Sequence, residues 1–311
     1  MSLAIIFPGQ GSQSVGMLAG LSEHYPVVQQ VFREASGLLG YDLWELVQHG
    51  PAAELDRTEK TQPALLAAGY ACWRVWRAAG GAVPALVAGH SLGEYSALVC
   101  AGVLDFGPAL TLVADRGRFM QEAVPAGTGM MAAILGLDDA RVTEICAQTG
   151  GGQTVAAANF NAPGQVVISG HADAVNRAVE ALKQAGAKRA LLLPVSVPSH
   201  CALMKSAADR LADRLLLVKF SDAAIPVVQN VDAGIRADAD GIMRSLIRQL
   251  YEPVRWSRSI ETMKAAGITR VLECGPGKVL TALCRRIDRD LEAVAVYDQD
   301  SLESALSVEL T

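Results

Sequence analysis

The sequence predicts an α/β protein. A large α/β-hydrolase-like domain is built on a parallel sheet, and a small ferredoxin-like subdomain of order βαββαβ is inserted into it. Three observations carry this reading. Ala85-Leu86-Val87-Ala88 is a short apolar run after Pro84 and reads as a buried strand, while Glu94 to Ala101 reads as a helix stopped by Gly102. Other apolar runs, Leu3 to Phe7 and Arg270 to Cys274, likewise alternate with helical stretches, which is the alternation a parallel sheet needs. Between Met130 and Val195 the order changes to strand, helix, strand, strand, helix, strand, the pattern of a split βαβ unit. The expected division is therefore 1–126 with 198–311 for the large domain and 127–197 for the subdomain.

Bulk properties narrow the class. Of the 311 residues, 51% are hydrophobic and 19% are charged, enough to build a core and too apolar for disorder. A net charge of −5 argues against a general nucleic-acid binder. No apolar run is long enough to span a membrane, and no signal-peptide pattern opens the chain. The six cysteines are scattered, contain no C-x-x-C pair and read as reduced core thiols. A cytoplasmic globular protein without a metal site is the expectation.

Taken in order, Leu3 to Phe7 reads as a strand and runs into Pro8-Gly9-Gln10-Gly11-Ser12-Gln13. A dinucleotide fingerprint would need Gly or Ala at position 14, which is Ser14, so this is a glycine-rich turn. Glycine neighbours also permit the Gln10 backbone to approach a reacting group. Tyr25 to Gly50 reads as helical. Thr61-Gln62-Pro63 reads as a helix start with Pro63 in the first turn, and that helix ends at Gly80-Gly81.

A helix from Asp105 to Ala123 places Leu112, Val113, Phe119 and Met120 around Arg116. Arg116 either snorkels out to pair with Asp115 or Glu122, or anchors a substrate carboxylate with its planar fork. Pro125 to Gly129 reads as a hinge into the subdomain, and Pro194 to His200 as the return. Asn161-Ala162-Pro163-Gly164 supplies the turn between the middle strands. Pro226 to Val228 is a strand, and a helix ends at Gln249-Leu250. Gly275-Pro276-Gly277-Lys278 lacks P-loop spacing and is a strand-to-helix turn. From Asp288 onward the sequence carries no further signal.

The chemistry starts at Gly89-His90-Ser91-Leu92-Gly93. Strand, G-x-S-x-G and helix together form a nucleophile elbow that lifts Ser91 above the end of the sheet. A serine hydroxyl needs a base. Of His24, His49, His90, His171 and His200, the last lies at a subdomain junction and is the candidate by elimination, while His90 should point away from Ser91's exposed face. A hydrolase of this fold would run Ser, acid, His, yet Leu191 to Ser199 contains no acid. A dyad oriented by something other than a carboxylate follows. Transfer, hydrolysis of an ester or thioester, and a non-catalytic carrier-binding role all remain open at this point.

Phe7-Pro8-Gly9-Gln10-Gly11-Ser12-Gln13, Thr61-Gln62-Pro63-Ala64, Gly89-His90-Ser91-Leu92-Gly93-Glu94, Arg116-Gly117, Val197-Pro198-Ser199-His200 and Gly275-Pro276-Gly277 occur in this order. Together they resemble the malonyl-CoA:acyl carrier protein transacylases of bacterial fatty acid synthesis and the related polyketide-synthase acyltransferase domains. The resemblance spans nearly the whole chain. It implies Ser91 as nucleophile, His200 as base oriented by a backbone carbonyl near Gln249, and the backbone N–H groups of Gln10 and Leu92 as an oxyanion hole. It further implies Arg116 as the clamp for the malonyl carboxylate and Ser199, before the histidine, as a position tied to extender choice. Malonyl-CoA and acyl carrier protein would be the partners. CoA and phosphopantetheine would enter only as parts of substrates, with no other cofactor and a monomeric chain. An acidic carrier implies a local basic surface, for which Lys188, Arg189, Arg285 and Arg286 are candidates.

Overall fold

The computed structural model describes residues 2–125, 127–195 and 197–307. Its chain order begins β1 (Leu3–Phe7), α1 (Ala19–His24), α2 (Pro26–Leu39), α3 (Leu43–His49), α4 (Ala52–Leu55), α5 (Thr58–Ala78), β2 (Leu86–Gly89), α6 (Gly93–Cys100) and α7 (Phe106–Ala123). It continues with β3 (Gly129–Leu135), α8 (Asp139–Thr149), β4 (Val155–Ala162), β5 (Gln165–His171), α9 (Ala172–Gln184) and β6 (Arg189–Leu192). It ends with α10 (Lys205–Leu215), β7 (Val227–Val228), β8 (Ile235–Arg236), α11 (Ala239–Gln249), α12 (Trp256–Ala265), β9 (Arg270–Cys274), α13 (Val279–Ile287), β10 (Glu292–Val296) and α14 (Gln299–Ser307).

The larger sheet has the order β10-β9-β1-β2-β7-β8, parallel throughout except at the β7–β8 edge. Its central strands are covered on both faces, as parallel strands require. Ile5, Phe7, Val87 and Leu272 face one apolar cluster, while Ala4, Ile6, Ala88 and Val271 face the other. Because β1, β2, β7 and β9 run the same way, Pro8, His90, Gln229 and Gly275 follow them at one edge of the sheet. That edge is where open α/β sheets bind ligands.

The second sheet is antiparallel, order β4-β5-β3-β6, and α8 and α9 pack on one face of it through Ile134, Val142, Ile168 and Val175. This is the strand order of a ferredoxin-like βαββαβ unit. Its other face carries Met131, Ala158 and Val167 with Ala133, Leu193 and Val195. Backbone hydrogen bonds from Phe160 N to Val254 O (2.8 Å) and from Val254 N to Ala158 O (2.9 Å) tie β4 to the segment before α12. Ala126 of the expected hinge and Ser196 of the return segment lie outside the described residues.

Several elements differ from the sequence expectation. The helical reading of Tyr25 to Gly50 is broken because Gly40 adopts φ 73° at the end of α2 and Asp42 then caps α3. Pro63 is not in a first turn. α5 begins at Thr58, because Gly117 on α7 leaves room for that turn; a Cβ there would stand 2.8 Å from Glu59 Cα and from Thr58 O. The polar tail contains β10, paired in register with β9, and α14. No described helix is long and apolar enough to cross a membrane. All six cysteines are free and buried, and burial pushes the Cys72, Cys146 and Cys284 thiols up to about 12.

Candidate active site

The tight turn after β2 forms because nothing but hydrogen fits at its glycines. A Cβ on Gly89 would meet Gly93 C at 1.8 Å, and one on Gly93 would meet Phe7 O at 2.1 Å. Ser91 therefore takes a left-handed conformation, φ 52°, a strained state for a residue with a side chain. The strain is held from outside the turn. Asn230, just past β7, accepts from Ser91 N through Oδ1 at 2.7 Å and donates through Nδ2 to Gly89 O at 2.7 Å. Asn230 was not singled out by sequence. Its position directly after the strand neighbouring β2 is the signal that could have found it.

His200 reaches the same point from the opposite side. Its ring Nε2 lies 2.7 Å from Ser91 Oγ, and its Nδ1 lies 2.7 Å from the carbonyl of Gln249. A carbonyl only accepts, so Nδ1 carries the hydrogen and Nε2 offers its lone pair to the serine hydroxyl. Gln249 ends α11, where helix carbonyls have no partner within the helix. His200 N also donates to Leu250 O at 3.0 Å, so this helix end holds both backbone and ring. Burial, and then the nearby Arg116 charge, lower the His200 pKa to about 3.

Arg116 is 1% exposed and does not snorkel. Asp115 pairs instead with Arg118 and Arg214, and Glu122 with Arg118 and Arg210. Its guanidinium donates to Gln62 Oε1 at 2.7 Å, to Gln249 Oε1 at 3.0 Å and to Ser91 Oγ at 3.4 Å. All its acceptors among the described residues are neutral. A buried cation held this way keeps its attraction for an anion, which the low-dielectric surroundings strengthen. Gln62, marked in the sequence only as part of Thr61-Gln62-Pro63-Ala64 and with no role assigned, lies on α5, whose start at Thr58 turns it toward α7.

Ser91, His200, Arg116, Gln10, Leu92 and Ser199 line one cavity of about 200 Å³. Gln249 is buried behind it, its side-chain amide donating to Ser91 O and Glu94 Oε2, each at 2.9 Å. Neither the Gln10 nor the Leu92 backbone N–H is taken by a hydrogen bond among the described residues. Met131, Val167, Leu193 and Val195, from the second face of the smaller sheet, and Val279 and Leu280 of α13 also line it. His90 lines the cavity too; its Nε2 lies 2.8 Å from Asn161 Oδ1 and its ring centroid 5.6 Å from that of Trp256.

A nucleophile elbow, a neutral histidine on its hydroxyl and an arginine in the same cavity define a serine-dependent acyl-transfer class of site. Residues 4–298 match the acyl transferase domain family, and the chain belongs to it. It is 59% identical over 304 residues to the malonyl CoA-acyl carrier protein transacylase of Salmonella typhimurium, covering 98% of each chain. An acyl carrier protein S-malonyltransferase from Vibrio cholerae superposes with a TM-score of 0.96 at 59% identity, covering 98% of this chain and 100% of that one. A malonyl-transacylase solved in complex with a type II polyketide-synthase acyl-carrier protein gives 0.98 at 57% identity, covering 99% and 100%.

Proposed function

We propose that the chain transfers a malonyl group from malonyl-CoA to the phosphopantetheine thiol of acyl carrier protein, through an ester on Ser91. The observation that carries this reading is Arg116, buried and held by neutral partners with its guanidinium 3.4 Å from the Ser91 hydroxyl. A hydrolase acting on neutral acyl groups has no use for a buried cation there, whereas a carboxylate at the far end of a malonyl group meets it with two parallel hydrogen bonds.

In the first half-reaction His200 Nε2 takes the Ser91 proton as the oxygen attacks the thioester carbonyl. The negative oxygen of the tetrahedral intermediate is received by the Gln10 and Leu92 N–H groups, and each such donor typically contributes a factor of roughly 10²–10³ in rate. Collapse breaks the C–S bond, and the imidazolium returns its proton to the departing CoA sulfur. The Gln249 carbonyl stabilises that imidazolium from the Nδ1 side, so no acid is needed in the orienting position. In the second half-reaction the carrier thiol gives its proton to His200 and attacks the Ser91 ester. The same steps then run in reverse, freeing the serine.

Transfer requires that water not compete. The apolar lining contributed by Met131, Val167, Leu193, Val195 and Leu280 serves that purpose. The segment 127–197 is proposed as the subdomain that roofs the cleft over a body made of 1–126 and 198–311. Lys188, Arg189, Arg285 and Arg286 are all exposed and are proposed to meet the acidic carrier. Ser199 in the cavity wall is proposed as a position that bears on extender choice; a serine there accompanies the larger group in polyketide-type domains, while a stand-alone transacylase with serine is expected to prefer malonyl. The chain is proposed to act as a cytoplasmic monomer with no cofactor beyond its substrates. Mass spectrometry after mixing with malonyl-CoA tests the proposal. A malonyl adduct on Ser91 that passes to carrier protein is expected; loss of the adduct to water faster than to carrier would overturn it.

A further inference from the structure

Glu94, in the first turn of α6, is fully buried. Both of its hydrogen bonds converge on one oxygen: Gln249 Nε2 donates to Oε2 at 2.9 Å and Asn230 N at 3.1 Å. Oε1 has no partner among the described residues. The Gln249 amide thus stands between two ionisable groups, receiving Arg116 on its oxygen and giving its N–H to Glu94. We propose that Glu94 is the counter-charge of the Arg116 site, taking up a proton when an acyl carboxylate binds there and so tying the preference for malonyl over acetyl to pH. This rests on the reading of Arg116 as the carboxylate anchor.

The argument is one of charge. With Glu94 ionised, the empty site holds one positive and one negative group joined through an amide. A malonyl carboxylate adds a second negative group in a buried space, where like charges disfavour ionisation of their neighbours. Protonation at Oε1 relieves this without disturbing Oε2, whose two donors are served equally by a carbonyl oxygen. The other groups facing Glu94 leave it as the one free to respond. Asp232 is paired with Arg236 at 2.6 Å and has a lowered pKa. Arg248 is held by Glu252, and burial raises Tyr95 to about 12. His200 stays neutral for the reasons given above. Burial moves Glu94 itself up to about 7, so its response falls in an accessible range.

The sign follows directly. Below this range Glu94 is neutral and Arg116 attracts the malonyl carboxylate unopposed; above it the two anions compete. Acetyl carries no charge and is indifferent to Glu94, and the CoA phosphates are common to both donors. The test is the ratio of Ser91 loading rate constants, kcat/KM for malonyl-CoA over acetyl-CoA, from pH 6 to 8.5. An electrostatic coupling of about one pKa unit gives a fall of about tenfold across that range. In Glu94→Gln the ratio is expected to be flat. A flat wild-type ratio overturns the proposal without recourse to any variant. Arg116→Ala separates the two layers. If it lowers malonyl and acetyl loading equally, the anchor reading itself fails. If it is malonyl-selective while the wild-type ratio is flat, only the role of Glu94 fails.

Discussion

Asn230 is 1% exposed, and its side chain joins Ser91 N and Gly89 O across the elbow. Asn230→Ala leaves a buried donor and a buried acceptor without partners. At about 1–3 kcal/mol for each unsatisfied group, the cost is about 2–6 kcal/mol. Part of this is recovered when Ser91 relaxes from φ 52°, a conformation costing about 1–3 kcal/mol. A net loss of about 2–4 kcal/mol lowers Tm by roughly 3–6 °C in a chain of this size. The relaxation also moves the serine away from His200, and a displacement of about 1 Å costs roughly a hundredfold in rate. The effect belongs to the nucleophile and not to the acyl group, so Ser91 loading should fall by the same factor with malonyl-CoA and acetyl-CoA. Thermal melts and single-turnover mass spectrometry measure both quantities. A melt within a degree of wild type, or a loss confined to malonyl, would refute the reasoning.

The remaining predictions concern the parts of the site that act differently. Arg116→Ala should reduce malonyl loading by a factor of roughly a hundred, the range of a lost charge-assisted hydrogen-bond pair, and leave acetyl loading much less affected; steady comparison of the two donors decides it. Acetyl loading in the wild type should not decline between pH 7.5 and 5, since His200 is held near 3 and remains a base throughout; a decline centred near 6.5 would show an ordinary histidine. The same lowering has a stability consequence. Below pH 6.5 the unfolded chain takes up a proton that folded His200 refuses, so its contribution to stability falls as pH drops from 6.5 toward 3 and is fully present above that window. Denaturant titrations of wild type and His200→Gln over that range should converge toward low pH. Gly93→Ala places a Cβ 2.1 Å from the Phe7 carbonyl and should prevent the elbow from forming, read as loss of soluble folded protein.

Sequence by itself determined the elements whose signals are local. The glycines at 89 and 93 permit one kind of turn, and the apolar runs at Leu3–Phe7 and Arg270–Cys274 have the composition of buried parallel strands. The split pattern between 129 and 192 and the elbow turn that carries Ser91 are legible for the same reason. Where tertiary contact outweighed local preference, the reading failed. Pro63 lies inside α5 because Gly117 accommodates an additional turn, and β10 exists because β9 offers it an edge to pair with.

Only the tertiary structure decided which side chains complete the site. Asn230, Gln62 and Glu94 are separated in sequence from the groups they hold, and no spacing rule links residue 230 to residue 91. Asn230 and Glu94 meet because the parallel strands end along one edge, bringing the segments after β2 and β7 together, whereas Gln62 reaches Arg116 through the packing of α5 on α7. His200 was reachable by elimination, but its orientation depends on the end of α11 presenting an unpaired carbonyl at Gln249. Arg116 shows the division most plainly. Its residue type and helical spacing allowed either a solvated ion pair or an anion clamp. Burial among neutral acceptors, a property of the packed molecule alone, supports the clamp.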